Sequence, residues 1–180
     1  LYKKQRLVPF GEYIPLSGLL SWVLPALQND PSMSGFSRGA SDQKPFNIKG
    51  HHLAAAICYE VAYPNLTRRN AINSVFLVTV SNDAWFTGTA GPLQHLQMVQ
   101  MRAKENGRWF IRATNTGVTA FIDHNGHIVK QAPVDKKAVL RGELPAMQGE
   151  TLYTRLSDWP ILGFSLLLLI LGWIYRPKKV

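Results

Sequence analysis

The uncharged C-terminal stretch over residues 159–175 constrains the fold of this chain more than any other feature of the sequence. It holds 17 residues, with tryptophan or tyrosine at both borders. That length is near the lower limit for a helix that spans a bilayer, and aromatic side chains favour the membrane–water interfaces. A buried core helix is the alternative, but the unbroken apolar run over residues 166–171 leaves no polar face for solvent. We therefore predict a transmembrane helix over residues 159–175.

The residues that follow this stretch predict its orientation. Arg176, Lys178 and Lys179 come directly after it. Basic residues beside a membrane span prefer the cytoplasmic side. Residues 176–180 are therefore expected to form a basic cytoplasmic tail, and residues 1–158 are expected to lie outside the cytoplasm.

The net positive charge of the chain calls for a partner of opposite sign. There are 20 Lys and Arg against 11 Asp and Glu, which gives a formal charge of +9. A nucleic-acid-binding surface usually clusters its basic residues and interleaves aromatic residues with them. Here the basic residues are scattered along the chain from Lys3 to Arg155. We therefore expect no nucleic-acid partner and assign the charge to attraction by an anionic membrane surface.

The rest of the chain alternates apolar runs with helical segments, which is typical of a mixed α/β fold. Helices are predicted over residues 64–72 and 91–106, the second with Pro92 near its start and Gly107 just past its end. Short apolar or β-branched runs predict strands over residues 53–57, 74–80, 109–113, 118–122 and 139–144.

Three connecting segments complete this outline. Residues 122–129 resemble a hairpin in which Asn125 and Gly126 suit a primed turn. Residues 29–49 are rich in Ser, Gly, Asp and Pro and are expected to form a long surface loop. Residues 16–27 carry apolar side chains at helical spacing and no charge, so they either lie in a bilayer interface or pack on the core.

Cys58 is the only cysteine, which excludes an internal disulfide framework and a Cys-rich zinc site. It ends a strand-like run and is followed by Tyr59, Glu60 and a predicted helix. A nucleophile at a sharp strand-to-helix turn is exposed, and backbone N–H groups point towards the developing oxyanion. The alternative is an inert buried thiol.

A basic motif near the N-terminus supplies candidate partners for this thiol. Lys4 precedes a Pro-Phe-Gly turn, and a lysine close to a thiol favours the thiolate and stabilises an oxyanion. Lys3 competes for this assignment, and either lysine alone is compatible with a solvated surface charge. Glu12 and Glu60 are the carboxylates close in sequence to these two elements.

A second polar segment, SNDAWF over residues 81–86, follows a predicted buried strand. Asn82 and Asp83 favour a turn, and two large aromatic residues, Trp85 and Phe86, come next. At the end of a strand these four side chains are candidates for the wall of a site. A simple loop with a packed tryptophan is the alternative.

The five histidines do not suggest a metal site. His51 and His52 are adjacent on a predicted strand and would face opposite sides of it. His124 and His127 flank the predicted hairpin turn, and His95 is remote from both pairs. We therefore predict no metal ion.

Several short motifs occur in order along the chain, and together they resemble the apolipoprotein N-acyltransferases, a membrane branch of the nitrilase (carbon–nitrogen hydrolase) superfamily. The resemblance is to the C-terminal part of these proteins, covers nearly the whole chain and includes the final membrane helix. The motifs are Y-x-K-x-x-L-V-P-F-G-E over residues 2–12, A-x-C-Y-E over 56–60, S-N-D-A-W-F over 81–86, G-P-x-Q-H over 91–95, R-A-x-E-N-G-R over 102–108 and R-A-T-N-T-G over 112–117.

The resemblance implies a four-layer α–β–β–α sandwich, of which residues 1–158 would form a partial catalytic domain. It also implies a Glu-Lys-Cys triad. Lys4 matches the lysine by its spacing to Glu12, Cys58 matches the nucleophile, and Glu12 and Glu60 match accessory glutamates. The matching general-base glutamate is expected upstream of the lysine motif, so this chain alone is expected to be inactive.

The activity implied by the resemblance is transfer of a fatty acyl group from a membrane phospholipid to the α-amine of a diacylglyceryl-modified N-terminal cysteine in an apolipoprotein. Cys58 would carry the acyl group as a thioester, while Lys4 and the Tyr59 backbone N–H stabilise the oxyanion, with no cofactor. The expected location is the bacterial inner membrane, with the catalytic domain in the periplasm. The alternatives are a nitrilase-type amidase acting on a small amide, and an inactive membrane-tethered remnant.

Overall fold

A six-stranded sheet in which the strands lie side by side in chain order forms the centre of the molecule. The computed structural model describes residues 1–16, 36–134 and 136–176. The middle strands β2, β3 and β4 run parallel, and the other three pair antiparallel with their neighbours. The strands are β1 Phe46–Ile48, β2 His51–Ile57, β3 Phe76–Ser81, β4 Trp109–Thr114, β5 Ala120–Ile122 and β6 Ile128–Gln131.

Two helices provide the crossover connections between the parallel strands. Helix α1, Pro64–Ala71, joins β2 to β3, and helix α2, Gly91–Asn106, joins β3 to β4. Pro stands in the first turn of both helices, where its missing N–H costs no hydrogen bond. Gly107 ends α2 in the left-handed conformation, at a φ of 59°, which glycine adopts without a Cβ clash. The predicted bounds of α2 are therefore confirmed.

Both crossover helices cover the same face of the sheet. Along β3 and β4, Leu77 and Phe110 are buried beneath the helices, whereas the flanking Val78 and Ile111 on the other face are partly exposed. Alternation of this kind follows from the two-residue period of a strand. Burial of each large core side chain contributes roughly 1.5–3 kcal/mol. The mixed α/β class is confirmed, and the described residues form one sheet with its helical layer.

Two predictions about secondary structure are wrong, one of a strand and one of a loop. Residues 139–144 form no strand, because their backbone does not enter the ladder of β6, the neighbouring edge strand. Part of the segment over residues 29–49 is not a loop, because β1, Phe46–Ile48, pairs antiparallel with β2. Residues 17–35, which include most of the apolar segment over 16–27, lie outside the described part of the chain.

The β5–β6 hairpin is confirmed, but its turn differs from the predicted one. With Asn125 and Gly126 as the central residues, a type I′ turn requires positive φ at both and a type II′ turn at Asn125, but only Gly126 has it, at 86°. The Asp123 carbonyl accepts a bond from the Gly126 N–H at 3.0 Å, as in a type I turn. The Asp123 carboxylate also accepts bonds from the backbone N–H groups of Asn125 and His127, which favours this geometry.

Two further helices follow at the C-terminal end: α3, Leu152–Leu156, and α4, Trp159–Ile174. Helix α1 holds α3, since Arg68 donates to the Thr154 carbonyl at 2.8 Å. All side chains of α4 are exposed. Among residues 1–16, 36–134 and 136–176, no helix has both the length and the apolar character needed to span a membrane. The predicted span is therefore not confirmed, and residues 177–180 of the predicted tail lie outside the described residues.

Candidate active site

Cys58 lies at the sharp turn between β2 and α1. It begins the 3-10 turn Cys58–Ala62 and has a φ of 53°, in the left-handed region. A non-glycine residue in this region costs of order 1–3 kcal/mol, so the surrounding contacts must hold it there. The side chain is only partly buried. Cys58 therefore occupies a strained backbone position at the predicted strand-to-helix turn, and its role as a nucleophile stays a prediction.

The carboxylate of Glu60, two residues after Cys58, is fully buried and binds two distant parts of the chain together. Its Oε1 accepts bonds from the backbone N–H groups of Gln5 at 2.5 Å and Arg6 at 3.1 Å. Its Oε2 accepts from the Ile57 N–H at 2.6 Å and the Tyr2 hydroxyl at 3.0 Å. Burial and the negative charge of Glu60 raise the pKa of Tyr2, so this hydroxyl remains a donor. The segment that carries Lys4 is thus fixed to the turn that carries Cys58.

Replacement of Glu60 by glutamine is expected to lower the free energy of unfolding by about 3 kcal/mol. In the wild type, four donors bond to the two carboxylate oxygens of Glu60. In the variant, the amide NH2 of glutamine would face some of these donors, and a buried donor without an acceptor lowers the free energy of unfolding. Glu150→Gln, at a position where the side chain is 41% exposed, is the matched control and should change stability little. Urea unfolding of the full-length protein measures both effects. Equal stability of the two variants would contradict the bridging role of Glu60.

Lys4 forms an ion pair with Glu12 beside this bridge. Its Nζ lies 2.7 Å from Glu12 Oε1, and the lysine side chain is only 12% exposed. Glu12 Oε2 accepts the backbone N–H of Val8 at 2.9 Å, which orients the carboxylate towards Lys4. The side chain of Lys3 instead lies in solvent. The structure therefore distinguishes the two lysines, and it is Lys4 that is held in place.

Neither glutamate of this site is suited to accept a proton from the thiol. Both oxygens of Glu60 and both oxygens of Glu12 already accept hydrogen bonds. Protonation of either carboxylate would break bonds that hold the site together. The accessory roles of both residues stay predictions, as does covalent chemistry at Cys58 with Lys4 as an electrostatic partner.

Asp83, one of the four residues of the predicted wall, is fully buried. Its Oδ2 accepts a bond from Arg112 Nη2 at 2.6 Å, and its Oδ1 lies 2.9 Å from His95 Nδ1. Burial raises the pKa of Asp83, but bonds from His95 and Ser81 and the charge of Arg112 outweigh this effect and leave the pKa below its usual value. Burial also lowers the pKa of Arg112, and the negative charge of Asp83 opposes this shift. Asp83 is therefore a charged anchor beneath the site.

The other three residues of the predicted wall lie at the surface. Trp85 and Phe86 occupy the 3-10 turn Ala84–Phe86 and are 80% and 48% exposed. The Asn82 side-chain oxygen accepts bonds from the Ala84 N–H and the Asn115 amide, which shapes this turn. Among the hydrogen bonds of the described residues, none joins Asn82, Trp85 or Phe86 to Cys58. Their role in the site remains a proposal.

Sequence reasoning missed several residues that the structure brings to this region. The sequence does not indicate that His95 lies near Cys58, yet its Nε2 lies 3.1 Å from the Cys58 carbonyl oxygen. Arg112 carried a usable signal, because a charged residue within a buried strand such as β4 needs a charged partner. Tyr2 and Gln5 carried no comparable signal, because their contact with Glu60 depends on tertiary structure.

Comparison with known proteins identifies close relatives of this chain. A family model described as carbon-nitrogen hydrolase matches residues 1–152. The apolipoprotein N-acyltransferase of Pseudomonas paraeruginosa is 51% identical over 181 residues, covering 99% of this chain and 35% of the relative. That of Azotobacter vinelandii is 51% identical over 178 residues, covering 99% and 34%. The resemblance based on the motifs is confirmed, and the chain spans about a third of the length of these relatives.

Solved structures share the fold at low sequence identity. The C. elegans NitFhit protein matches with a TM-score of 0.56 and 22% identity, over 74% of this chain and 31% of that chain. A carbon–nitrogen hydrolase from Helicobacter pylori matches with a TM-score of 0.55 and 17% identity, over 82% and 58%. The nitrilase-like character of the sheet and its crossover helices is therefore confirmed.

Proposed function

This chain belongs to the carbon–nitrogen hydrolase family, and on that basis we propose that it is the nucleophile-bearing part of an N-acyltransferase. The observation that carries the proposal is the Glu60 bridge, which fixes the segment of Lys4 to the turn of Cys58. The name shared by relatives about half identical to this chain supports acyl transfer as the reaction.

The proposed reaction begins with a phospholipid ester. A glutamate upstream of the lysine motif takes the thiol proton, and Cys58 Sγ attacks the ester carbonyl carbon. Lys4 and the Tyr59 backbone N–H stabilise the negative charge that develops on the carbonyl oxygen. The ester C–O bond then breaks, the lysophospholipid oxygen takes the proton, and the acyl group remains on Cys58 as a thioester.

The second half of the reaction transfers that acyl group to an amine. The α-amine of a diacylglyceryl-modified cysteine at the N-terminus of an apolipoprotein attacks the thioester carbon. The C–S bond breaks, Cys58 recovers a proton, and a stable amide forms. Since both halves use acid–base and nucleophilic groups alone, the scheme requires no cofactor.

An assay with two kinds of substrate tests this function. The full-length protein is incubated with phospholipid and a diacylglyceryl-modified lipopeptide, and separately with a small aliphatic amide, and the products are identified by mass spectrometry. We expect N-acylated lipopeptide together with lysophospholipid. Release of ammonia from the small amide, without acylated peptide, would instead support a nitrilase-type amidase.

We also propose that α4 contacts the acyl chains of a bacterial inner membrane. Its 16 residues carry no charge, and its leucine and isoleucine side chains are exposed, which water disfavours. Asp158 and Arg176 place charges just before and after this apolar surface. In this proposal the catalytic domain faces the periplasm and the basic tail faces the cytoplasm.

Thiol labelling measures the environment of α4 directly. In a Cys58→Ala background, we expect Leu168→Cys in proteoliposomes to react at least about tenfold more slowly with a membrane-impermeant maleimide than Gln148→Cys, because a bilayer excludes charged reagents. Gln148 is exposed and precedes both C-terminal helices, so it serves as the control. Similar labelling rates at the two positions would contradict the lipid contact.

A further inference from the structure

A histidine on α2 bonds to the backbone of the nucleophile itself. His95 Nε2 lies 3.1 Å from the carbonyl oxygen of Cys58. On the other side of the ring, Nδ1 lies 2.9 Å from Asp83 Oδ1. Only 12% of the His95 side chain is exposed, and Asp83 is fully buried. The imidazole thus fills the space between the turn of Cys58 and a buried charged group.

The partners of the ring determine what it must donate. The Cys58 carbonyl oxygen can only accept a hydrogen bond, so the ring nitrogen that bonds to it, Nε2, must carry hydrogen. The carboxylate of Asp83 is itself fixed by Arg112, whose Nε also donates to the Val118 carbonyl at 3.1 Å. The Arg112 guanidinium and the Ser81 hydroxyl also approach Nδ1, at 3.4 and 3.5 Å. Arg112 on β4, Asp83 and His95 therefore form a continuous series of polar contacts that ends at the Cys58 carbonyl oxygen.

The backbone at Cys58 needs such support. Its φ of 53° is unfavourable for a residue with a Cβ, and the direction of the thiol depends on that conformation. A hydrogen bond to the carbonyl oxygen of the same residue opposes rotation of the peptide unit. Since α2 is packed on the sheet, the donor is held on a rigid element.

We infer that His95 is a positioning residue for Cys58: its Nε2–H group holds the Cys58 carbonyl, and thereby keeps the thiol directed towards the substrate. The inference rests on the proposed role of Cys58 as the nucleophile. His95 does not touch the reacting atoms. Asp83 and Arg112 act one step further away, by fixing the ring that contacts Cys58.

Two substitutions separate this role from a purely structural one. In His95→Gln, the amide nitrogen takes approximately the place of Nε2 and still donates to the Cys58 carbonyl. In His95→Asn, the shorter side chain places its polar atoms near Nδ1, so the contact with Asp83 is kept and the contact with Cys58 is lost. The exposed His51, changed to glutamine, is the control for loss of an imidazole.

The readout is the rate at which iodoacetamide alkylates Cys58 in the full-length protein, with the melting temperature recorded in parallel. This rate needs neither acyl donor nor acceptor, so a wild-type protein that alkylates but transfers no acyl group would count against the proposed function and not against this inference. We expect His95→Gln to stay within about threefold of wild type, and His95→Asn to fall at least about tenfold, because misdirected reacting groups lose rate steeply. His51→Gln should match wild type.

A faster reaction of His95→Asn than of His95→Gln would show that the contact with Asp83 is the important one, and would overturn the inference. Equal rates in the two variants would overturn it as well. Failure of both variants to fold would show that His95 contributes to stability alone, and would also overturn the inference. Only the order Gln above Asn, at similar melting temperatures, supports the positioning role.

Discussion

Replacement of Cys58 by alanine is expected to lower the rate of acyl transfer by at least about 1,000-fold, which is the largest effect of any single substitution in this chain. The thiol is the atom that bonds to the acyl group in the proposed reaction, and no neighbouring side chain replaces it. Cys58 is also the only cysteine of the chain. The measurement is formation of acylated lipopeptide by the full-length protein under identical conditions.

The same residue should carry the intermediate. When the full-length protein meets phospholipid without a lipopeptide acceptor, intact mass should show a fatty acyl adduct on Cys58 that hydroxylamine removes, as expected for a thioester. Cys58→Ala should show none, at an unchanged melting temperature. Sustained transfer by Cys58→Ala, or an adduct on another residue, would refute the two-step scheme.

The two adjacent lysines should respond very differently to substitution. Lys4→Ala is expected to lower acyl transfer by about 100 to 1,000-fold, the usual cost of losing oxyanion stabilisation. The reason is position: the Lys4 ammonium is paired with Glu12 at 2.7 Å, on a segment that Glu60 fixes to the turn of Cys58.

Lys3→Ala is the matched control. It removes the same charge from the neighbouring residue, whose side chain is exposed. Its transfer rate should remain within about threefold of wild type, as expected for a surface charge. A comparable loss in both variants would mean that net positive charge near the site matters, and not the position of Lys4. Steady-state rates at saturating phospholipid and lipopeptide measure the difference.

Sequence reasoning predicted the parts of the fold that depend on local signals. The apolar run before Cys58 forms most of β2, and Cys58 occupies the sharp turn that was expected of a nucleophile. Pro92 and Gly107 correctly predicted the two ends of α2. Proline favours the first turn of a helix and glycine favours the position just past its end, so both signals are local.

Prediction failed where the structure depends on distant contacts. The strand expected over residues 139–144 has strand-like composition, but a strand exists only when another strand accepts its backbone bonds. His95 is close to Cys58 because α2, the crossover from β3 to β4, passes over the end of β2. No spacing in the sequence indicates this proximity. The same holds for Glu60, whose partners Gln5 and Arg6 are more than 50 residues away.

The chain-order arrangement of the sheet has a consequence for how the protein forms during synthesis. Each strand pairs with the one before it, so the sheet can grow in the direction in which the ribosome releases the chain. The segment over residues 2–12 behaves differently. It emerges before the strands, but its backbone N–H groups at Gln5 and Arg6 find their acceptor only after Glu60 has left the ribosome. The segment of Lys4 therefore joins the turn of Cys58 by a later loop closure, which can occur only when the first crossover is being built.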